Sequence, residues 1–138
     1  MWNGGVRTLA LFVTTALAAL VLTVDARADD GDESRAEARV ELSCTEKSRV
    51  RLRVRTRDDR ELRVDVDVRT PARGATWSVV VIHERRLVTR FRTRTGRSSG
   101  SFSLRRTIAD WPGRDTVTVR ANGPRGEICR ASATVAGN

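Results

Sequence analysis

Catalysis needs a reactive side chain with a partner that activates it, and this sequence offers few candidates. His83 is the only histidine, and no local motif assigns a serine or a free cysteine to it. It stands where an apolar stretch runs into a turn, so we expect it to be exposed at a strand end. Asp65 and Asp67 lie two residues apart, as a carboxylate pair on one strand face would. Arginines on the facing strand would keep both ionised, which does not suit acid catalysis. The sequence therefore predicts a protein that is not an enzyme.

Anion binding is the second kind of chemistry that the residue types permit. The chain has 26 lysines and arginines against 17 aspartates and glutamates, and Lys47 is its only lysine. Arg90, Arg92 and Arg94 alternate along one predicted strand, so their side chains point to one side of it. The only acid near them in sequence is Glu84. Guanidinium groups bind phosphate and carboxylate through paired hydrogen bonds, so we predict an anion-binding face here. The alternative is that these arginines cover a sheet face without a ligand.

A second arginine-rich stretch, from Val50 to Arg69, has a different interpretation. Its apolar residues are all even-numbered, so a hairpin buries them together only if paired positions sum to an even number. A three-residue loop of residues 58–60 meets this condition, whereas a two-residue loop does not. The predicted register places opposite charges across from each other in three pairs: Arg51 with Asp67, Arg53 with Asp65, and Arg57 with Glu61. We therefore interpret this stretch as a solvated face that is largely neutralised within its own sheet.

The N-terminal residues have the pattern of a secretory signal peptide, residues 1–28. One arginine precedes an apolar run from Leu9 to Val24, and Ala26 and Ala28 supply the small residues of a signal-peptidase site. An uncleaved membrane anchor is the alternative, but about sixteen apolar residues are fewer than the ~20 that span a bilayer. We expect cleavage after Ala28, no stable membrane anchor afterwards, and a protein that is secreted, either extracellular or associated with the cell wall.

Charge divides the remaining chain into two parts. Residues 29–37 hold five acids and one arginine, whereas residues 38–138 hold 23 basic residues against 11 acids. The short acidic segment is polar and poor in apolar residues, which is typical of a disordered leader. The residues after it suffice for one domain and are too few for two. We therefore predict a single domain over residues 38–138.

The chain has two cysteines, Cys44 and Cys129. In an oxidising compartment, two cysteines far apart in sequence indicate a disulfide rather than a metal site, for which further histidine or cysteine ligands are missing. We predict a bridge between them, and neither a metal nor a cofactor.

The domain is a series of short stretches in which apolar and polar residues alternate, as in strands with one buried face. Turn residues separate them, for example from Pro71 to Gly74 and from Asn122 to Gly126. This pattern predicts an all-β fold, namely a single antiparallel immunoglobulin-like β-sandwich of seven to eight strands. Trp77 is expected to pack in the core near the disulfide. Trp111 is expected to cap the end of the sandwich, with sugar stacking at the surface as the alternative.

Several local motifs of the domain resemble those of a known family. They are Trp77 on a central strand, the stretch from Ser99 to Phe102, the turn Gly113-Arg114-Asp115 followed by Val117 and Val119, and the segment from Gly126 to Arg130. In these motifs the chain is similar to a family of small secreted actinobacterial proteins of uncharacterised function, and the similarity spans about Val40 to Val135. The resemblance implies export, one β-sandwich and a bridge from Cys44 to Cys129, and it assigns no catalytic residue.

Three hypotheses for function follow. The first is a secreted, non-enzymatic binding domain that recognises an anionic cell-envelope polymer or an acidic protein surface through Arg90, Arg92 and Arg94. The second is a purely structural or protein-interaction domain without an anion site. The third, a hydrolase that uses His83, has the least support. Nucleic acid is disfavoured as a partner, because the chain has no tyrosine and no aromatic side chains interleave with the arginines.

Overall fold

The structure of the protein is a computed structural model that describes residues 35–58 and 60–136. The predicted signal peptide, and the predicted leader up to residue 34, lie outside the described residues. Within the described ranges, no helix is long and apolar enough to cross a membrane.

The described residues form eight strands in two antiparallel sheets of four strands each. The strands are β1 (Glu37–Ser43), β2 (Arg49–Arg57), β3 (Glu61–Arg69), β4 (Thr76–His83), β5 (Arg86–Arg94), β6 (Ser101–Ala109), β7 (Arg114–Asn122) and β8 (Ile128–Ala136). Sheet I has the strand order β1-β2-β3-β6, and sheet II has the order β5-β4-β7-β8. The predicted all-β sandwich is confirmed, and its described part has eight strands, where seven to eight were predicted.

Between the described strands, the chain passes from one sheet to the other in the connections β3–β4, β5–β6 and β6–β7. The remaining connections join neighbouring antiparallel strands within one sheet. Repeated passage between sheets is the way in which immunoglobulin-like sandwiches place two sheets face to face. In the resulting strand order, β4 and β7 lie in the middle of sheet II, and β5 and β8 form its edges.

The core lies between the sheets and follows from the alternation along each strand. In β2 and β3 the even-numbered residues are buried, and in β4 and β7 the odd-numbered residues are buried. Trp77 is fully buried, and its ring centroid lies 5.7 Å from that of Phe102. A Cβ atom at Gly123 would come within 2.5 Å of the Trp77 ring. The indole therefore packs directly on the backbone after β7, which only glycine permits.

The β2–β3 hairpin has the predicted register. Arg57 pairs with Glu61, and the paired positions along the strands all sum to an even number. Arg60, the last loop residue, has a φ of 56°, which is the left-handed conformation that commonly closes a three-residue hairpin loop. The middle loop residue, 59, lies outside the described part of the chain. The register buries the apolar residues of both strands and leaves their charged residues on the outer face of sheet I.

A disulfide joins Cys44, which directly follows β1, to Cys129 on β8, and their Cα atoms are 4.4 Å apart. Because β1 and β8 are edge strands, the bridge ties an edge of sheet I to an edge of sheet II. The backbone nitrogen of Thr45 also donates to the carbonyl of Ile128, at 3.0 Å. The predicted bridge between Cys44 and Cys129 is confirmed. It differs in position from the bridge of antibody domains, which joins strands B and F. Trp77 lies in the core as predicted, with β7 between its strand and β8.

Sheet I includes the last residues of the predicted leader. β1 begins at Glu37, and the carbonyl of Ala36 accepts a hydrogen bond from the backbone nitrogen of Thr56, at 2.9 Å. Arg35 forms an ion pair with Asp58 at 2.8 Å. The folded domain therefore extends a few residues before the predicted boundary at residue 38.

Candidate functional site

On the outer face of sheet I, arginines of β2 are paired with carboxylates of β1. Glu41 accepts hydrogen bonds from Nε and Nη2 of Arg51, at 3.2 and 3.1 Å. Glu37 accepts two from Arg53, at 2.7 and 3.0 Å, and the hydrogen bond from Arg53 lowers the pKa of Glu37 from 4.5. Arg53 lies opposite Asp65 in the backbone register, as predicted, but its side chain binds Glu37. The neutralising partner comes from a strand whose pairing with β2 the sequence analysis did not include.

Asp65, on β3, is the centre of a second group of ion pairs on the same face. It accepts hydrogen bonds from Arg105 at 2.7 Å and from Arg55 at 3.2 Å, and Nε of Arg63 lies 3.6 Å away. Partial burial by itself raises the pKa of Asp65, but the hydrogen bonds from Arg105 and Arg55 and the nearby charge of Arg63 outweigh it. The net pKa lies below the ordinary value of 3.8. Six arginines on the described strands of sheet I thus have an acidic partner within 4 Å, which supports the interpretation of a largely neutralised face.

The outer face of sheet II carries arginines from three strands. Arg90, Arg92 and Arg94 are exposed on β5, as the alternation predicted. The register adds two arginines that the sequence analysis did not include, Arg120 of β7 and Arg130 of β8. Val80 of β4 pairs with Arg90 on one side and with Arg120 on the other, and Arg120 pairs in turn with Arg130. A row of three arginines therefore crosses the sheet. The alternation of β7 could have predicted that Arg120 points outward. Only the strand order shows that Arg120 lies near Arg90.

Among the described residues, the strands of sheet II place no carboxylate on this outer face. The strands of sheet II contain a single acid, Asp115, and it is fully buried. Within residues 35–58 and 60–136, the arginines at positions 90, 92, 94, 120 and 130 form no ion pair, whereas several arginines of sheet I do. The two outer faces of the sandwich therefore differ in available positive charge, although both are rich in arginine.

Glu84, the acid nearest to the β5 arginines in sequence, is turned away from them. It lies in the two-residue turn between β4 and β5, where Glu84 and Arg85 have φ values of 46° and 66°, as in a type I′ turn. Its carboxylate accepts a hydrogen bond from the backbone nitrogen of Thr116, and its own backbone nitrogen donates to the carbonyl of Thr116 at 3.0 Å. Glu84 therefore fastens the turn to β7.

A groove of about 750 Å³ lies on the outer face of sheet II. Arg90 and Arg92 stand on its β5 side, and Arg120 stands on its β7 side. Its lining also includes Ser78, Val80, Ile82, Phe91 and Asn122. A smaller groove on sheet I, of about 350 Å³, contains the carboxylates of Asp65 and Asp67 among its arginines. Of these two grooves, the one on sheet II is the one whose charged lining is wholly positive.

Comparison with known proteins assigns no family to this chain. No protein-family model, no characterised protein and no solved structure matches it. The similarity to small secreted actinobacterial proteins stays a prediction from the sequence motifs.

His83 is buried, with 2% of its surface exposed, and does not lie at an exposed turn as predicted. It is the last residue of β4 and continues the inward-facing, odd-numbered positions of that strand. Its Nε2 forms a hydrogen bond with Oδ1 of the buried Asp115 on β7. The prediction of an exposed histidine was wrong because the alternation of β4 continues through its last residue.

Trp111 covers this buried pair at the end of the sandwich. Its ring centroid lies 4.3 Å from that of His83, and its backbone nitrogen donates to Oδ1 of Asp115 at 3.4 Å. The guanidinium of Arg86 lies 5.3 Å from the centroid of the indole. These contacts correspond to the predicted capping role of Trp111. In the described part of the chain, the side-chain hydrogen bond of His83 goes to the carboxylate of Asp115 and to no hydroxyl or thiol.

Proposed function

We propose that this protein is an exported, non-enzymatic binding domain that recognises an anionic polymer through the outer face of sheet II. The observation that carries the proposal is the row of Arg90, Arg120 and Arg130, which crosses a face without carboxylates. Each guanidinium group attracts anions and donates paired hydrogen bonds to phosphate or carboxylate oxygens. Because these arginines have no acidic partner among the described residues, their charge is available to a ligand.

Protection of an edge strand is another explanation for part of this charge. Charged side chains on edge strands prevent unwanted pairing with other chains, and β5 is an edge strand of sheet II. That explanation covers Arg90, Arg92 and Arg94, and also Arg130, because β8 is the other edge strand of sheet II. It does not cover Arg120, because β7 is an inner strand between β4 and β8. The position of Arg120 therefore favours anion binding over edge protection alone.

Export is part of the proposal and rests on two observations. The N-terminal sequence has the pattern of a signal peptide. The bridge between Cys44 and Cys129 is typical of proteins that fold in oxidising compartments. An exported domain would meet the anionic polymers of the cell envelope, which are therefore the proposed class of ligand.

A protein-interaction domain is the second candidate, and an exposed apolar patch favours it. Leu87 and Val88, near the start of β5, are 57% and 41% exposed, and Arg85 and Arg86 precede them at the β4–β5 turn. A partner bound here would bury apolar surface, and such binding resists moderate salt. Binding of a polyanion weakens as salt rises, because the charges are screened. The salt dependence of binding therefore separates the two candidates.

Binding titrations with two charge-matched variants test the proposal. One variant, Arg92→Gln/Arg120→Gln, removes two charges from the outer face of sheet II. The control, Arg51→Gln/Arg53→Gln, removes two charges from sheet I. On the same anionic polymer, we expect the first variant to lose about tenfold or more in affinity, a loss of about 1.4 kcal/mol or more. The control should lose about twofold or less, as a change in net charge alone would produce.

Each result has a defined meaning. The wild-type affinity should fall as the salt concentration rises, and thermal unfolding of both variants checks that the fold is intact. Equal losses in the two variants would mean that net charge, and not this face, determines binding. No binding by the wild-type protein at low salt would remove the anion-binding proposal.

A further inference from the structure

We propose that the ligand is a single phosphodiester-linked chain that lies in the groove of sheet II along β4, held from both sides by arginines. This inference rests on the proposed function and makes it more specific. The groove has Arg90 and Arg92 on the β5 side and Arg120 on the β7 side. A ligand in it would therefore meet guanidinium groups on two opposite sides, and not on one flat surface.

The spacing of the strands sets the width of the groove. β5 and β7 are the two neighbours of β4, and neighbouring strands lie about 4.8 Å apart, so the β5 arginines and Arg120 of β7 start about 9.6 Å from each other. Between them, β4 presents outward the short side chains of Ser78 and Val80, which pair with Arg92 and Arg90. Along β5, arginines at every second residue recur about every 6.8 Å. This geometry fits one extended chain whose charges recur at regular intervals.

The chemistry of the lining favours a phosphodiester over a carboxylate polymer. A phosphodiester group is part of the polymer backbone, and its two non-bridging oxygens, which share one negative charge, can accept hydrogen bonds from both walls of a groove at once. A carboxylate on a polymer is a side group and points to one side of its chain. The side chains of Ser78 and Asn122 add neutral hydrogen-bond donors to the lining. Val80 and Ile82 offer apolar contact to the carbon atoms between the phosphates.

The same groove is unsuited to nucleic acid. A duplex is wider than two strand spacings, so it could contact the rims of the groove but not its floor. Binding of single-stranded nucleic acid without sequence preference relies on aromatic side chains on which bases stack. Phe91 is the one aromatic residue in the described lining, and it lies at an inward position of β5 with the guanidinium of Arg106 5.6 Å from its ring centroid. The floor of the groove therefore offers bases no stacking surface.

A variant that fills the groove without changing charge tests this inference. Ser78→Trp places a large side chain on the floor of the groove, between Arg92 of β5 and Asn122 of β7. The control, Ser132→Trp, adds the same side chain on β8, at an exposed outward position of the same face that does not line the groove. The probe is a synthetic oligomer of glycerol phosphate, titrated into the full folded domain. We expect Ser78→Trp to weaken binding by about tenfold or more and Ser132→Trp by about twofold or less.

A second arm tests the phosphodiester chemistry. Polyglutamate with the same number of charges should bind with an affinity about tenfold or more below that of the glycerol phosphate oligomer. Duplex DNA contacts only the rims of the groove, so its affinity should be the same for the wild-type protein and for Ser78→Trp. Asn122→Phe, at the other side of the groove floor, replaces Ser78→Trp if the latter does not fold.

The outcomes separate this inference from the proposed function. If Ser78→Trp and Asn122→Phe bind the oligomer as the wild-type protein does while Arg92→Gln/Arg120→Gln is weakened, the groove is not the site, but the arginine face still binds anions. Equal affinity for polyglutamate overturns the phosphodiester assignment. If neither the arginine substitutions nor the groove-filling substitutions change binding, both proposals are wrong.

Discussion

Arg90 and Arg120 lie on either side of Val80, one on each of the two strands that pair with β4. The sandwich topology brings them to the same face, although they belong to separate segments of the chain. Arg130 extends the row onto β8. The positive face of sheet II is therefore a product of strand order, whereas the arginine-rich stretch in β2 and β3 is visible in the sequence, and most of its arginines form ion pairs with neighbouring carboxylates.

The buried pair of His83 and Asp115 is expected to be important for stability. His83→Ala should lower the free energy of unfolding by about 1 to 3 kcal/mol, because it removes the side-chain hydrogen-bond partner of the buried Asp115. Chemical denaturation of the purified variant measures this loss. The double variant His83→Ala/Asp115→Ala serves as the control and should lose less than the sum of the two single variants. Additive losses would show that the two side chains are not coupled.

The disulfide should contribute a large share of the stability of the domain. It joins cysteines 85 residues apart, and the chain-entropy model assigns roughly 4 to 5 kcal/mol to a loop of that length. Reduction should therefore shift the urea unfolding midpoint strongly to lower concentration. The variant Cys44→Ala/Cys129→Ala should show the lower midpoint with or without reductant. A wild-type midpoint that does not respond to complete reduction would contradict this prediction.

Much of the fold could be predicted from the sequence because alternation and turn residues are local signals. A parity argument on one hairpin predicts that the even-numbered residues of β2 and β3 are buried. The same argument predicts the loop of residues 58–60 and the pairing of Arg57 with Glu61. The burial of His83 was accessible by the same argument, since it has the parity of Trp77. It was missed because the residue was assigned to the turn rather than to the strand.

The candidate site could be predicted only in part. Arg90, Arg92 and Arg94 share one strand, so their common direction is a local property. Arg120 and Arg130 join them through the pairing of β4 with β7 and of β7 with β8, which no local pattern specifies. The partner of Arg53 was missed for a similar reason, because Glu37 reaches it from β1.

The stability of the domain should fall in acid partly through Asp65. Its pKa is lower in the folded protein than the ordinary value of 3.8, so the folded state favours the ionised carboxylate. The resulting stability is present above that ordinary value and is lost as the pH falls through the folded pKa. The difference in unfolding free energy between the wild-type protein and Asp65→Asn should therefore be constant from about pH 7 to pH 5 and shrink below about pH 4. A difference that stays constant in acid would contradict the ion pairs with Arg105 and Arg55.

Amide chemical-shift mapping by NMR tests the central claim most directly, that the outer face of sheet II binds anionic polymers. A short glycerol phosphate oligomer is titrated at low salt into nitrogen-labelled protein. The largest shift changes should occur on β4, β5 and β7, around Val80, Arg92 and Arg120, while Arg51 and Arg53 on sheet I change little. Shift changes centred on β2 and β3, or spread evenly over all exposed arginines, would contradict the claim.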